Sequence, residues 1–427
     1  MENNTVFTEI SAEDFDAFSA VHPYTSFQQT SGWAELKGNF GWRKLFLALK
    51  KNDEIVAAAL FLGRRMPVFN KFLYYSPHGY LIDYTDTELL KEFQQAAEKK
   101  LKQERGFLLI IDPYYELCQR DIEGQVVEGG FDHHATVEEL KSLGFTHTGY
   151  NLYYENLQPR FLFRLNVADK SYQELVNDFR YETKRRIRKK DQLAIHVREL
   201  EKKDIPIYKE LMARTGERRG FIDRPLSYYE KMYDCLHPSG ILHFYGAEID
   251  FKTCLSNVEK EIAQQQEKIE KLSAKNPDSP KTKNRVHEEE IVLNKAQELR
   301  ERVVTAMADK GDSAVLSVVC ILDYGQEAIM LLAGNDEDYL QDFNTSNIIV
   351  AELIRITKEK GYRYYNFYGI TGDFSPENDQ YGLYTYKKQY GGEVVELIGQ
   401  FEKTLDPFTA FCYRTGHKLY QIFRKKH

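Results

Sequence analysis

Twice along this chain, strand-like segments are followed by a charged helical stretch that runs to a glycine, and then by one more apolar strand. The first pass reads KLFLALKK (44–51), EIVAAALFL (54–62) and FLYYSPHGYLID (72–83), then TELLKEFQQAAEKKLKQERG (87–106), then FLLIIDPYY (107–115). The second reads ILHFYGAEI (241–249), AVLSVVCILD (314–323) and AIMLLAGN (328–335), then SNIIVAELIRITKEKG (346–361), then YRYYNFYG (362–369). Glycine is a common helix stop. The order predicts two similar α/β domains, each a mixed sheet with helices on its faces. A length of 427 residues with 42% hydrophobic content supports more than one core.

The second pass is interrupted between about Asp250 and Gly311. Leu255, Val258, Ile262, Gln265, Ile269 and Leu272 are spaced by three and four residues, a heptad seam with one polar position. After the turn AKNPDSPK (274–281), the residues Val292, Ala296, Leu299, Val303 and Ala306 resume the rhythm. Two such helices joined by a proline-bearing turn predict an antiparallel coiled-coil hairpin, inserted because strands continue on both sides. It reads either as a stabilising arm or as a contact for a partner or tRNA.

Several function classes have no support. The start, MENNTVFTEISAEDFDAF, lacks a basic segment followed by an apolar one, so no signal peptide is expected, and no apolar run is long enough to span a bilayer. Cys118, Cys235, Cys254, Cys320 and Cys412 form no CxxC pair and read as free thiols of a cytosolic protein. No GxxxxGK[ST], strand-linked GxGxxG or GxSxG is present, and neither HEEE (287–290) nor His133–His134 forms a metal motif. A net charge of −7 argues against a whole-surface nucleic-acid coat.

Against that acidic background, RYETKRRIRKK (180–190) carries seven basic residues and one acid. It reads as a solvated helix or as a patch for phosphates of RNA, a pyrophosphate ligand or anionic lipid. The tail YRTGHKLYQIFRKKH (413–427) combines rings and cations, as an interfacial helix at a membrane surface does, or else packs as a simple C-terminal helix. ELMARTGERRGFIDRPLSYY (210–229) brings together Thr215, Arg218, Arg219, Phe221, Arg224, Tyr228 and Tyr229, guanidinium forks for phosphate or carboxylate beside rings that pack on a sugar or base. In YTSFQQTSGWAELKGNFGW (24–42), Ser31 or Thr30 caps a helix whose Trp33 and Leu36 face the core and leave Lys37 toward the other side. Asp112, at a strand end before proline, reads as a carboxylate at the mouth of a site or as a turn former. NFYGITGDFSPENDQYGLYTYKKQYGG (366–392) sets glycines, rings and the pair Lys387–Lys388 directly after a predicted strand.

These motifs together resemble the Fem family (FemABX) of peptidoglycan-bridge aminoacyltransferases, over nearly the whole length. The resemblance rests on PYTSFQQTSGWAELK (23–37), LLIIDPY (108–114), RKKDQLAIHVREL (188–200), RTGERRGFIDRPLSYY (214–229), YNFYGITGDF (365–374) and GLYTYKKQYGGEVVELIGQF (382–401), and on the position of the two-helix insertion. It implies two tandem GNAT-like domains, here 1–155 and 156–249 with 312–405, a coiled-coil hairpin insertion at 250–311 and a C-terminal basic helix at 406–427. It implies transfer of an amino acid (Gly, Ala or Ser) from aminoacyl-tRNA to the stem-peptide side-chain amine of lipid II or UDP-MurNAc-pentapeptide, building the interpeptide bridge. No metal or CoA is implied, and aminoacyl-tRNA is the co-substrate. The expected place is the cytoplasm, with peripheral contact at the inner membrane face and related Fem-type transferases as further partners.

The chemistry suits the motifs. The ester is already activated and the acceptor brings its own amine, so the protein supplies position and charge. By the family's aromatic-Lys-Lys pattern at Tyr386, Lys387 and Lys388, Lys387 is the expected cation for the oxyanion, with Lys388 second. Lys37 and Arg218, the latter ambiguous with Arg219, would hold the acceptor's phosphate or carboxylate. Thr215, Phe221, Tyr228, Tyr386 and Gly369 would line its groove, and Asp112 would be a base. Arg180, Lys184, Arg185, Arg186 and Arg188 would meet tRNA or the lipid pyrophosphate. A CoA-dependent GNAT N-acyltransferase, which needs a Q/R-x-x-G-x-G/A loop not found here, and a non-catalytic scaffold binding RNA or partners are the competing readings.

Overall fold

A computed structural model describes residues 5–66, 68–275 and 279–424. The first half runs β1 (Thr5–Glu9), α1 (Ala12–Val21), α2 (Ser31–Gly38), β2 (Arg43–Lys51), β3 (Glu54–Met66), β4 (Lys71–Ser76), α3 (Thr87–Gln103), β5 (Gly106–Ile111), β6 (Glu116–Gln119), α4 (His134–Ser142) and β7 (Thr146–His147). It continues through β8 (Phe161–Asn166), α5 (Tyr172–Asp178), α6 (Tyr181–Ile187), β9 (Ile195–Glu199), α7 (Ile205–Arg219), α8 (Leu226–Leu236), β10 (Leu242–Asp250), α9 (Phe251–Lys275) and α10 (Pro280–Lys310). It closes with β11 (Ser313–Tyr324), β12 (Glu327–Asn335), α11 (Leu340–Phe343), α12 (Thr345–Glu359), β13 (Tyr364–Ile370), α13 (Tyr381–Lys388), β14 (Glu393–Leu397), β15 (Phe401–Thr404) and α14 (Pro407–Arg424).

These elements form a mixed α/β fold with two sheets, ordered β1-β2-β3-β4-β5-β15-β7 and β6-β14-β8-β13-β12-β11-β10-β9. Each sheet has one parallel neighbour pair among its ladders, β4 with β5 and β12 with β13. A parallel pair needs a crossover, and α3 and α12 supply it. That is the physical content of the repeated sequence pattern. Asp86 caps α3 by accepting from the Leu89 amide at 2.9 Å, and Leu90, Phe93, Ala97 and Leu101 bury one face. Its stop departs from expectation: Arg105 takes the left-handed turn with φ 64°, and Gly106 already belongs to β5. α12 stops at a glycine as expected, Gly361 with φ 83°.

Sheet membership crosses the division drawn at 155. β6, from the first half, pairs with β14 in the second sheet, and β15, from the C-terminal half, pairs with β5 in the first. Buried charge ties this seam: Glu396 on β14 accepts from Arg160 and Arg120, and both Glu396 and Arg160 are buried.

α9 and α10 pack against each other as an antiparallel arm, joined by the Lys268–Glu289 and Arg300–Glu259 ion pairs. Val258, Ala296, Leu299, Val303 and Ala306 are buried along the seam. Val292 is 38% exposed, so the seam runs through its neighbour Leu293 instead. The middle of the predicted turn (276–278) and the last residues of the tail (425–427) lie outside the described residues. No helix among the described residues is long and apolar enough to cross a membrane.

Candidate active site

The polar residues of the N-terminal tract fold first into a cap. Thr30 Oγ1 accepts from the Trp33 amide at 3.2 Å, starting α2, and Trp33 and Leu36 turn into the core. Lys37 is thereby placed on the wall of a cavity of about 300 Å³. The opposite wall comes from the loop after α7 and from α8, through Phe221, Arg224 and Tyr228, and the floor includes Gln28, Gln158 and Tyr368.

Two cations dominate one end of this cleft. The Lys37 ammonium lies 4.3 Å from the Trp33 ring centroid, and its pKa is lowered to about 8 by burial and by the charge of Arg224. Arg224 stacks over Tyr228 at 5.4 Å. Asp223, beside Arg224, is spent on Lys209 and on the Tyr229 hydroxyl, so it does not neutralise the pair. Two cations with no carboxylate partner among the described residues, walled by rings, suit an anion such as a phosphate or carboxylate.

Lys387 is 3% exposed. Its Nζ donates to the carbonyls of Tyr368 at 3.1 Å and Gly369 at 2.7 Å, and burial lowers its pKa to about 7. A bulge between Asn366 and Gly369 makes this possible, with Tyr368 at φ 64°, a conformation that disfavours side-chain-bearing residues. Tyr368 faces the cleft, while Thr385 and Tyr386 on α13 and Gln389 just after it line a second, open cavity of about 570 Å³ together with Arg180, Tyr181 and Thr183. Lys387 itself lines neither cavity: its ammonium is bonded to the backbone of Tyr368, a cleft residue, and its helix neighbours Thr385 and Tyr386 line the second cavity. Gly391 and Gly392, at φ 78° and 114°, turn α13 sharply into β14, and a Cβ at 392 would stand 2.4 Å from the Arg164 carbonyl oxygen.

The remaining expected residues divide. Phe221 and Tyr228 line the cleft, and Tyr386 the second cavity, its hydroxyl donating to the Ser346 carbonyl at 3.1 Å. Lys388 is drawn away, paired with Glu123 beside the Tyr384 ring. Arg218 is paired with Glu337 at 2.7 Å, and neither it nor the exposed Arg219 lines the cleft; Arg224 takes the position foreseen for them. Thr215 is buried and accepts from the Asn335 amide at 2.9 Å, a link between α7 and β12. Gly369 has no side chain because Pro159 occupies that space, 2.7 Å from an ideal Cβ. In the basic tract, Arg180 reaches the second cavity. Lys184 caps the Asn177 carbonyl, Arg185 pairs with Glu182, Arg186 reaches Asn347 and Arg188 stays exposed.

Asp112 does not open onto the cleft. It is buried, accepting from the Tyr75 hydroxyl at 2.6 Å and the His78 amide at 2.7 Å, and burial raises its pKa to about 7. It reaches the cleft through other side chains: Gln158 Nε2 donates to Tyr75 Oη at 3.2 Å, and Tyr368 Oη donates to Gln158 Oε1 at 2.7 Å. Gln158 and Tyr368 were not singled out from the sequence; only the unusual backbone of Tyr368 marks them. The one group able to ligate a metal among the described residues, Glu199, His237 and His243, is not part of either cavity. His243 Nδ1 is already engaged with Glu199 at 2.6 Å and His237 Nδ1 with the Leu242 carbonyl at 2.9 Å.

The FemAB family profile matches residues 10–418. The chain belongs to the FemAB family. It is 28% identical over 399 residues to the lipid II:glycine glycyltransferase of Staphylococcus saprophyticus, covering 93% of this chain and 92% of that protein. It is 26% identical over 403 residues to the protein of the same name from Staphylococcus aureus strain USA300, again covering 93% and 92%. Among solved structures it is similar to FemX, with a TM-score of 0.76, 25% identity and coverage of 98% of this chain and 99% of that one. The FemAB match therefore includes both cavities and the arm.

Proposed function

We propose that this chain is an aminoacyl-tRNA-dependent transferase. It adds a small amino acid to the side-chain amine of a peptidoglycan stem peptide, building the interpeptide bridge. Each half of the molecule is read as a GNAT-like unit whose acyl donor is an ester rather than a thioester. The names of the FemAB relatives favour glycine as the transferred residue and lipid II as the acceptor.

The observation that carries the reading is the setting of Lys387, whose ammonium is bound to the carbonyls of Gly369 and of the cleft residue Tyr368, while its helix neighbours Thr385 and Tyr386 line the second cavity. In this reading the diphosphate end of the acceptor lies against Lys37 and Arg224, and its peptide runs along the cleft past Tyr368. The ester end of the tRNA enters the second cavity, where Arg180 meets phosphate and the rings of Tyr181 and Tyr386 meet a base. The neutral amine attacks the ester carbonyl, and the new C–N bond forms as the oxyanion develops beside Lys387. Collapse breaks the C–O bond. The ribose oxygen leaves as a hydroxyl, taking up by way of water the proton that the amine nitrogen gives up, while Tyr368, held by Gln158, orients the groups.

Incubating the protein with lipid II, with its nucleotide-linked counterpart and with a panel of charged tRNAs tests this. Mass spectrometry should show one added residue on the side chain of the third stem residue, from one tRNA class. Transfer from an acyl-CoA, with none from any tRNA, overturns the proposal.

A further inference from the structure

The phosphate end of the cleft continues outward along a trail of rings and cations. The Tyr228 ring lies 5.3 Å from Phe40, just after α2, and the Lys231 ammonium lies 5.1 Å from the Phe40 ring centroid. Arg64, near the end of β3, donates to the Phe40 carbonyl at 2.8 Å and stacks over Trp42 at 5.6 Å. β3 then projects Arg65 and the β3–β4 turn, where Val68 is 80% exposed. Phe69 in that turn meets Phe408 on α14 edge to face at 5.9 Å, and the Lys71–Asp406 ion pair fixes α14 against the turn.

α14 is divided by face. Thr409 and Ala410 are buried, while Phe408 and Phe411 are 68% and 69% exposed. Neither Arg64 nor Arg65 pairs with a carboxylate among the described residues, although the chain as a whole carries a net charge of −7. Exposed phenylalanines packed against a turn that follows Arg64 and Arg65, which have no carboxylate partner among the described residues, match an interfacial surface, where rings enter the acyl boundary and arginines meet anionic headgroups. They do not match an ordinary solvated helix, on which large apolar side chains turn inward.

We propose that the β3–β4 turn and the first turns of α14 dock this protein on an anionic lipid bilayer. The proposal rests on the reading of the cleft as the seat of a lipid-linked diphosphate, because it places the phosphate end next to the membrane from which the lipid carrier would emerge. Bilayer contact would fix the depth of Lys37 and Arg224 relative to the headgroups, so the acceptor need not leave the bilayer.

Flotation of the full chain with vesicles of phosphatidylcholine and phosphatidylglycerol in equal parts, containing no acceptor, tests the surface alone. The wild type should float with these vesicles and not with phosphatidylcholine alone, and salt should weaken the association. Phe408→Ser with Phe411→Ser should reduce the bound fraction about tenfold or more, with the unfolding midpoint unchanged. Should that pair fail to fold, Arg65→Glu with Val68→Ser carries the same test. Turnover on a nucleotide-linked acceptor should be unchanged in these variants, and turnover on lipid II in vesicles should fall. A wild type that stays unbound, or variants that float as well as it does, overturns the inference. So does self-association through this face with flotation unaffected. Loss of transfer from every tRNA while flotation persists would strike the transferase reading and leave the surface standing.

Discussion

Replacing Lys387 with methionine separates catalysis from stability. Methionine keeps most of the apolar stem and removes the ammonium. Burial lowers the pKa of this lysine from 10.5 to about 7, so holding it in place opposes folding by about 4 kcal/mol at pH 7. The methionine in turn leaves the Tyr368 and Gly369 carbonyls without this donor, at roughly 1–3 kcal/mol each. The two effects nearly cancel, and the variant should unfold close to the wild type at pH 7. The balance then shifts with pH. Between about pH 7 and 10.5 the unfolded wild type holds a proton that the folded protein has lost, so its stability rises with pH by about 1.4 kcal/mol per unit. The methionine variant has no proton to lose at this position, and the wild type should become the more stable of the two above neutrality. Turnover should behave differently. Losing a cation at the oxyanion should lower it by about 10²–10³-fold, measured by mass spectrometry of the acceptor under single-turnover conditions. The ratio of wild-type to variant turnover should narrow as pH rises through about 7, because the wild type loses its own charge there. A variant that folds as well as the wild type and works within tenfold of it would refute the role assigned to Lys387.

Further outcomes follow from the neighbouring residues. Lys37→Ala and Arg224→Ala should each raise KM for a diphosphate-bearing acceptor by about 10- to 100-fold, the scale of one charged hydrogen bond. They should leave an acceptor fragment without phosphates unaffected, which steady-state kinetics on the two substrates would show. Asp112→Asn should gain stability relative to the wild type by about 3 kcal/mol as pH rises from 4 to 7, because the wild-type carboxyl, with its pKa raised to about 7 by burial, binds a proton over that range that the unfolded chain has released. Denaturant titrations at several pH values would show it. Glu396→Gln should destabilise the fold by about 3–5 kcal/mol, since it leaves the Arg160 and Arg120 guanidiniums without their buried counter-charge.

What could be read from the sequence followed local rules. The crossover helices announced themselves by period, and the parallel strands on either side by apolar runs. The arm announced itself by a heptad rhythm, with one slip from Leu293 to Val292 because the two are adjacent and equally apolar. Lys387 stood out as a lysine in a ring-rich segment after a strand. The choice among Arg218, Arg219 and Arg224 could not be read in this way. All three lie within seven positions, and only the end of α7 and the partner Glu337 decide which guanidiniums turn outward. Asp112 was visible at its strand end, but the depth of its burial depends on Tyr75 and His78, which a folded turn brings to it. The exchange of β6 and β15 between the sheets is a long-range pairing with no local signature at all.

That exchange bears on how the site works. A cleft between two independent domains can open and close about a linker. Here β14, which follows α13 through Gly391 and Gly392, is hydrogen-bonded to β6 from the first half, and β15 returns to pair with β5. The ion pairs of Glu396 with Arg160 and Arg120 sit on the same seam, largely out of water. Opening the halves would break strand ladders and bare a buried carboxylate, a far larger penalty than the motion of a surface loop. The distance between Lys387 and the wall bearing Lys37 and Arg224 is therefore set by the fold itself. Adaptation to the acceptor falls to the loop carrying Phe221 and Arg224, whose Ile222 is 89% exposed at the cleft's edge. Under the proposed reading, preorganisation of this kind would place the cation before the ester arrives, which is how a site without a nucleophile of its own lowers a barrier.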